Sequence, residues 1–139
     1  MTWTIISYLI WSIYISIEGF REANFKHLKR KMPKIEMKVP KLCNIQRILV
    51  LSLLSYFLFT KVGLWFIGII IPMLLLTLFI HNGTYFYLRN KLNPNICDKG
   101  FCSDAIDKEE TPSLYLKFKY RKYLAITGFI LQIIICFLR

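Results

Sequence analysis

The chain has 139 residues, 55% of them hydrophobic and 16% aromatic, and 19 Lys and Arg against 8 Asp and Glu give it a net charge of +11. An ordinary soluble basic domain carries more charge and fewer apolar residues, and a chain this short that spends its apolar residues on crossing a bilayer has little left for a soluble catalytic domain. Charge-free stretches alternate along it with lysine-dense ones, the composition of a polytopic membrane protein and not of a nucleic-acid binder.

Residues 1–17 contain no charged side chain and scatter Trp3, Tyr8, Trp11 and Tyr14 among isoleucines. Extended through Phe20, the run reaches about 30 Å as a helix, the thickness of the hydrocarbon core. A cleaved signal peptide fits less well, because no basic segment precedes the run and no small-residue cleavage site follows it. A first span over about 1–20 is expected.

In the following loop, 21–44, Phe25, Leu28 and Met32 recur at helical spacing among Lys26, Lys29, Arg30 and Lys31. Such a stripe beside a basic face suits a segment lying on anionic lipid headgroups. The plainer reading, a solvated extension of the first helix whose lysines enforce topology, is favoured, since basic runs are common beside a first span. After Pro33, strict alternation over 34–39 predicts a strand, and a second alternating run covers 114–120. If both lie on one side of the membrane they pair into a small two-stranded ribbon.

The charge-free stretch 48–60 makes only about 20 Å of helix. Arg47 with a snorkelling stem lengthens it to a span over about 45–60, the alternative being a surface or re-entrant helix. Lys61, Val62 and Gly63 then form a tight turn, and a third span over about 64–88 contains Pro72, which removes an internal hydrogen bond. The connection 89–120 opens on the turn formers Asn93, Pro94 and Asn95, and carries an acidic patch, Asp104, Asp107, Glu109 and Glu110, read as a solvated loop tip. The last span, over about 121–138, is led by the basic anchors Lys117, Lys119, Arg121 and Lys122.

Residues 21–47 carry nine Lys or Arg and residues 89–122 carry eight, whereas the turn between spans two and three has only Lys61. Positive charge stays on the cytoplasmic side, so both loops are cytoplasmic and an even number of crossings separates them. The expectation is an all-α membrane protein: a four-transmembrane-helix bundle with two basic cytoplasmic loops and both termini outside, in a bacterial inner membrane.

Sites are sparse. Cys97 and Cys102 form a lone C-x4-C with no histidine nearby, a weak metal signal, and Cys43 beside a span is a conceivable acylation position. Glu18 and Glu22 lie one helical turn apart at the inner end of the first span; their terminal position favours exposure, facing Arg21, Lys26 and interfacial water, while burial would let them bind a cation or shuttle protons. His81 lies deep in the third span, where a histidine hydrogen-bonded between helices is the common outcome. The basic residues Lys26, Lys29, Arg30, Lys31, Lys117, Lys119, Arg121 and Lys122 are expected to contact lipid headgroups. No catalytic motif, phosphate loop, cofactor site or nucleic-acid partner is read from the chain. The expected function is non-catalytic helix packing, as an accessory or assembly subunit or a self-associating membrane lesion former of the phage type. The alternative is a small transporter or channel using Glu18, Glu22 or His81.

Overall fold

The computed structural model describes residues 2–31, 39–93, 100–104 and 116–138. They form four α-helices, α1 (Thr2–Lys31), α2 (Val39–Val62), α3 (Phe66–Leu92) and α4 (Phe118–Leu138), with short 3-10 turns at Gly63–Trp65 and Gly100–Cys102. Among the described residues there is no strand.

α3 is the helix against which α1, α2 and α4 all pack. Their directions follow from paired contacts. Tyr8 reaches the Ile69 carbonyl, Trp11 reaches Thr77 and Glu22 reaches His81, so α1 runs parallel to α3. α2 runs the other way, since Trp3 meets Phe57 near one end and Glu18 meets Arg47 near the other. α4 also opposes α3, with Ile135 against Gly68, Gly128 against Pro72 and Arg121 over Phe86.

Where the helices approach most closely, glycine is required for lack of a side chain. A Cβ on Gly128 would sit 3.0 Å from the Pro72 carbonyl oxygen, and one on Gly19 would sit 2.6 Å from the His81 carbonyl oxygen. Pro72 lies inside α3 and is buried. Gly63, at φ +60, makes the reversal between α2 and α3 in a left-handed conformation that costs a side chain roughly 1–2 kcal/mol. The expected turn at Lys61, Val62 and Gly63 thus lies two residues later, at Gly63–Trp65, because α2 continues through Val62.

The apolar core, Trp11, Ile15, Leu54, Leu58, Val62, Ile69 and Met73, lies between α1, α2 and α3 toward the Gly63 end. A second buried cluster, Ala23, Tyr85 and Phe86, lies farther along α1 and α3, and many of the remaining large apolar side chains face outward. On α1, Ile5, Leu9, Ile13 and Ile17 form an exposed stripe at four-residue spacing, while Thr4, Ser7 and Glu18 are buried. On α4, Phe129, Ile130, Ile133 and Ile134 are exposed and Arg121 is buried. This amphipathicity is the reverse of a water-soluble helix bundle. Four hydroxyls in these helices are satisfied locally: Ser16, Ser55, Thr77 and Thr84 each bond the carbonyl four residues back.

Two stretches, Thr2–Leu28 and Ile45–Leu92, are long and apolar enough to cross a membrane. The second contains most of α2, the turn and all of α3, and only 17% of its most apolar window is buried, unlike the core helix of a soluble protein.

The expected loop boundaries need correction. Residues 21–31 continue α1, and α2 already begins at Val39, so much of the first predicted loop is helical. This agrees with the reading of the basic run as an extension of the first helix. The predicted ribbon is not formed by the part of it that is described: Val39 opens α2, and Phe118–Tyr120 are the first turn of α4, with the Tyr120 and Arg121 amides donating to the Lys117 carbonyl. Alternation over so few residues is overridden because Phe118 and Arg121, three apart on a helix, both turn onto the α3 aromatics. Residues 34–38, 114 and 115 lie outside the described residues, as do Met32, Cys97, Asp107, Glu109 and Glu110.

Candidate functional site

The polar residues of α1, α2 and α3 converge toward the end of the fold opposite Gly63. Glu18 and Glu22 share a face of α1 because they are one turn apart, and the absence of a Cβ on Gly19 lets that face settle against the backbone of α3 at His81 and Tyr85. Glu18 is 3% exposed. Its Oε2 accepts a hydrogen bond from Arg47 Nε at 2.7 Å, an ion pair joining α1 to α2. Arg47 Nη2 lies 3.3 Å from His81 Nε2, and the same ring nitrogen lies 3.2 Å from Glu22 Oε2. On the other side of the ring, Nδ1 is 3.1 Å from Asn82 Oδ1. Four groups from three helices therefore touch in sequence: Glu18, Arg47, His81, Glu22.

This corrects the expectation that Glu18 and Glu22 face interfacial water. Glu18 is buried and Glu22 is mostly so, because the close contact at Gly19 closes α3 over their face before α1 ends. His81 is buried, with its ring nitrogens within reach of groups on α1 and α2. Arg47, expected only as a snorkelling end of the second span, is the residue that ties the network together. Arg21, at the rim, donates to Gln46 at 2.8 Å and closes the same edge of the α1–α2 contact.

A second polar group gathers on the far side of α3. The guanidinium groups of Arg89 and Arg121 both approach the Phe86 ring, 5.9 and 5.2 Å from its centroid. Arg121 also covers the Phe118 ring at 5.5 Å and donates from Nη2 to the Ser103 carbonyl. Asn90 donates to Ser103 Oγ at 3.1 Å, and Asp104 accepts the Phe118 amide. Phe101 lies flat on Gly83, where any side chain would occupy its place, and meets Phe79 edge-on at 5.2 Å. The segment Gly100–Asp104 is thereby fastened across α3 and the start of α4.

Of the residues expected at lipid headgroups, Lys117, Lys119 and Lys122 are exposed, whereas Arg121 is fully buried. Lys26 also turns inward, its Nζ 5.4 Å from the Tyr85 ring centroid. Both departures have one cause: an aromatic face on α3 lies within reach and offers the cation a partner in place of water. The side chains of Lys29, Arg30 and Lys31 lie outside the described residues. Asp104, placed by sequence in a solvated loop tip, holds the first amide of α4, and the Cys102 thiol is free and exposed. Among the described residues, no three His, Cys, Asp or Glu side chains converge in a way that would hold a metal ion.

Sequence reading missed Arg47 and Asn82 as members of the network, and the Tyr8–Gln132 and Trp11–Thr77 hydrogen bonds of 2.7 and 2.8 Å that join α1 to α4 and α3. The available signal was polar residues recurring at Thr4, Ser7, Tyr8, Trp11 and Glu18 on one side of an otherwise apolar helix. No family model matches the chain, and no curated protein or solved structure matches it.

Proposed function

We propose that this chain is a small polytopic integral membrane protein without catalytic activity, which acts through helix packing as an accessory or assembly subunit. In this reading α1 to α4 each cross the bilayer of a bacterial inner membrane, with both termini outside and the basic connections in the cytoplasm. The observation that carries it is the inverted amphipathicity: isoleucine and phenylalanine cover the outside, while Glu18, His81, Asn82 and Arg121 are buried. In water that arrangement would expose an apolar surface far larger than monomers tolerate, and in lipid it is the expected one. The outward faces of α1 and α4 are then available to lipid, to other membrane proteins or to a second copy.

The network supports a packing role because its charges find partners within the fold. A buried ion pair contributes little net stability, yet it specifies which helices meet and in what register. Self-association into a membrane lesion uses the same outward faces and is a different outcome of the same experiment. A small transporter or channel is the second reading, favoured by one observation: Glu18, Glu22 and His81 converge in the interior instead of facing the interface.

Purification of the tagged chain from its membrane in mild detergent tests the first reading. Recovery with one larger membrane complex in stoichiometric amount supports an accessory subunit. Recovery as a homo-oligomer, with permeabilisation of the expressing cell, supports a lesion former. Recovery alone, together with ion or proton flux in liposomes that Glu18→Gln abolishes, overturns both in favour of transport.

A further inference from the structure

His81 Nε2 has two neighbours with opposite requirements. Arg47 Nη2, at 3.3 Å, can only donate a hydrogen bond. Glu22 Oε2, at 3.2 Å, can only accept one while it is ionised. A single ring nitrogen carries either one N–H or one lone pair, so it serves one of these two neighbours at a time. The opposite nitrogen, Nδ1, has a constant partner in Asn82 Oδ1 at 3.1 Å, to which it donates in either case.

We propose that His81 and Glu22 form a binding site for one exchangeable proton, and that the proton's arrival transfers His81 from Arg47 of α2 to Glu22 of α1. Without it, Nε2 is bare and accepts from Arg47, and the Glu22 carboxylate faces a lone pair. When a proton from water bonds to Nε2, the ring becomes an imidazolium that donates to Glu22 and releases Arg47 to its other partner, Glu18, which it already holds at 2.7 Å. Departure of the proton to water restores the first arrangement. Glu18, Glu22 and Arg47 with a neutral ring carry one excess negative charge, which the bound proton cancels, while Lys26 acts on Glu22 from the same helix.

The charged groups around the site are accounted for from each packed element among the described residues. α1 contributes Glu18, Glu22 and Lys26, the last of which acts on Glu22 through space, and at the rim Arg21, which donates to Gln46. α2 contributes Arg47. α3 contributes His81 itself and, two turns further on, Arg89 on the Phe86 side. From α4, Arg121 belongs to the Phe86 group and not to this one. The site takes a proton whether or not the protein transports anything, and so goes beyond the packing role without depending on it.

The test is the protonation state of the ring itself, read by 15N magnetic resonance on full-length protein labelled at histidine in lipid nanodiscs. His27→Asn identifies the second histidine. Across a series of pH values, the expected result is a change at His81 from bare Nε2 with protonated Nδ1 to a ring protonated on both nitrogens. At a fixed pH within that change, Glu22→Gln should shift the population toward bare Nε2 and Arg47→Gln toward the doubly protonated ring. A wild-type His81 that holds one state and one tautomer throughout overturns the proposal, and this measurement needs no substitution within the site. Titration that Glu22→Gln leaves unmoved, in protein with unchanged helical circular dichroism, overturns the role of Glu22.

Discussion

Arg47 of α2 reaches Glu18 of α1 at 2.7 Å, and the two ends of this ion pair are unequally buried: the arginine side chain is 35% exposed and the glutamate side chain 2%. The arginine extends inward from the rim and satisfies a carboxylate that cannot reach water. Removing the arginine therefore costs more than its exposure suggests, since it leaves a buried carboxylate without its cation. Arg47→Ala should destabilise the fold by on the order of 2 kcal/mol after allowing for the exposed partner. Glu18→Gln combined with Arg47→Gln should recover part of that loss, because two amides can still hydrogen-bond. A double-mutant cycle on unfolding in mixed micelles measures the coupling, and strictly additive losses would show that the pair does not act as one.

Gly19 and Gly63 are irreplaceable for different reasons, and substitution separates them. Gly19→Ala places a methyl group against the Thr84 hydroxyl and the α3 backbone, so α1 must move away from α3 at a cost of about 1–3 kcal/mol. That shift should also separate Glu22 from His81 and disturb the His81 resonances. Gly63 has open space around its missing Cβ, and only its φ of +60 resists a side chain. Gly63→Asn should therefore be tolerated better than Gly63→Val, with thermal unfolding as the measure.

Trp11 is buried, and Trp3 and Trp65 are exposed near the end of the fold where α2 turns into α3. In liposomes containing brominated lipid, single-tryptophan variants keeping Trp3 or Trp65 should be strongly quenched, and the one keeping Trp11 weakly. Equal quenching of all three would contradict either the packing of α1 or its immersion in lipid.

Asp104 accepts the Phe118 amide across fourteen residues and so acts as the cap that starts α4. Asp104→Ala should accelerate amide exchange at Phe118 and Lys119 while leaving the middle of α4 protected, at a cost of about 1 kcal/mol. Arg121→Lys should loosen the same region. A compact ammonium reproduces neither the stack on Phe86 and Phe118 nor the fork that reaches the Ser103 carbonyl. Amide exchange at Ser103, which donates to the Gly100 carbonyl, reports that loosening.

The helices were legible because their apolar runs are long and bounded by charge. The end of α3 at Leu92 follows from Asn93 and Pro94, and the reversal at Gly63 from the only residue type indifferent to positive φ. The ribbon misled because period-two alternation over a few residues carries less free energy than one aromatic contact made by a helix. The closeness of α1 to α3 was invisible for a related reason: Gly19, Gly83 and Gly128 are single glycines on separate helices, and only their partners reveal that each marks a close approach.

Sequence alone determined that the chain is helical, that its apolar residues exceed what an interior can hold, and that its positive charge lies in two blocks, since these depend on composition and local period. Tertiary structure decided the partners. Glu18 and Glu22 look like rim residues beside basic neighbours until α3 closes over them, and Arg47 looks like an anchor until α2 brings it to them. The contacts among Glu18, Glu22, Arg47 and His81 span 29 residues from Glu18 to Arg47 and 34 from Arg47 to His81. No local propensity encodes a pairing at that separation; it exists because α1 and α2 pack on α3 in one register, and that register brings the charges together.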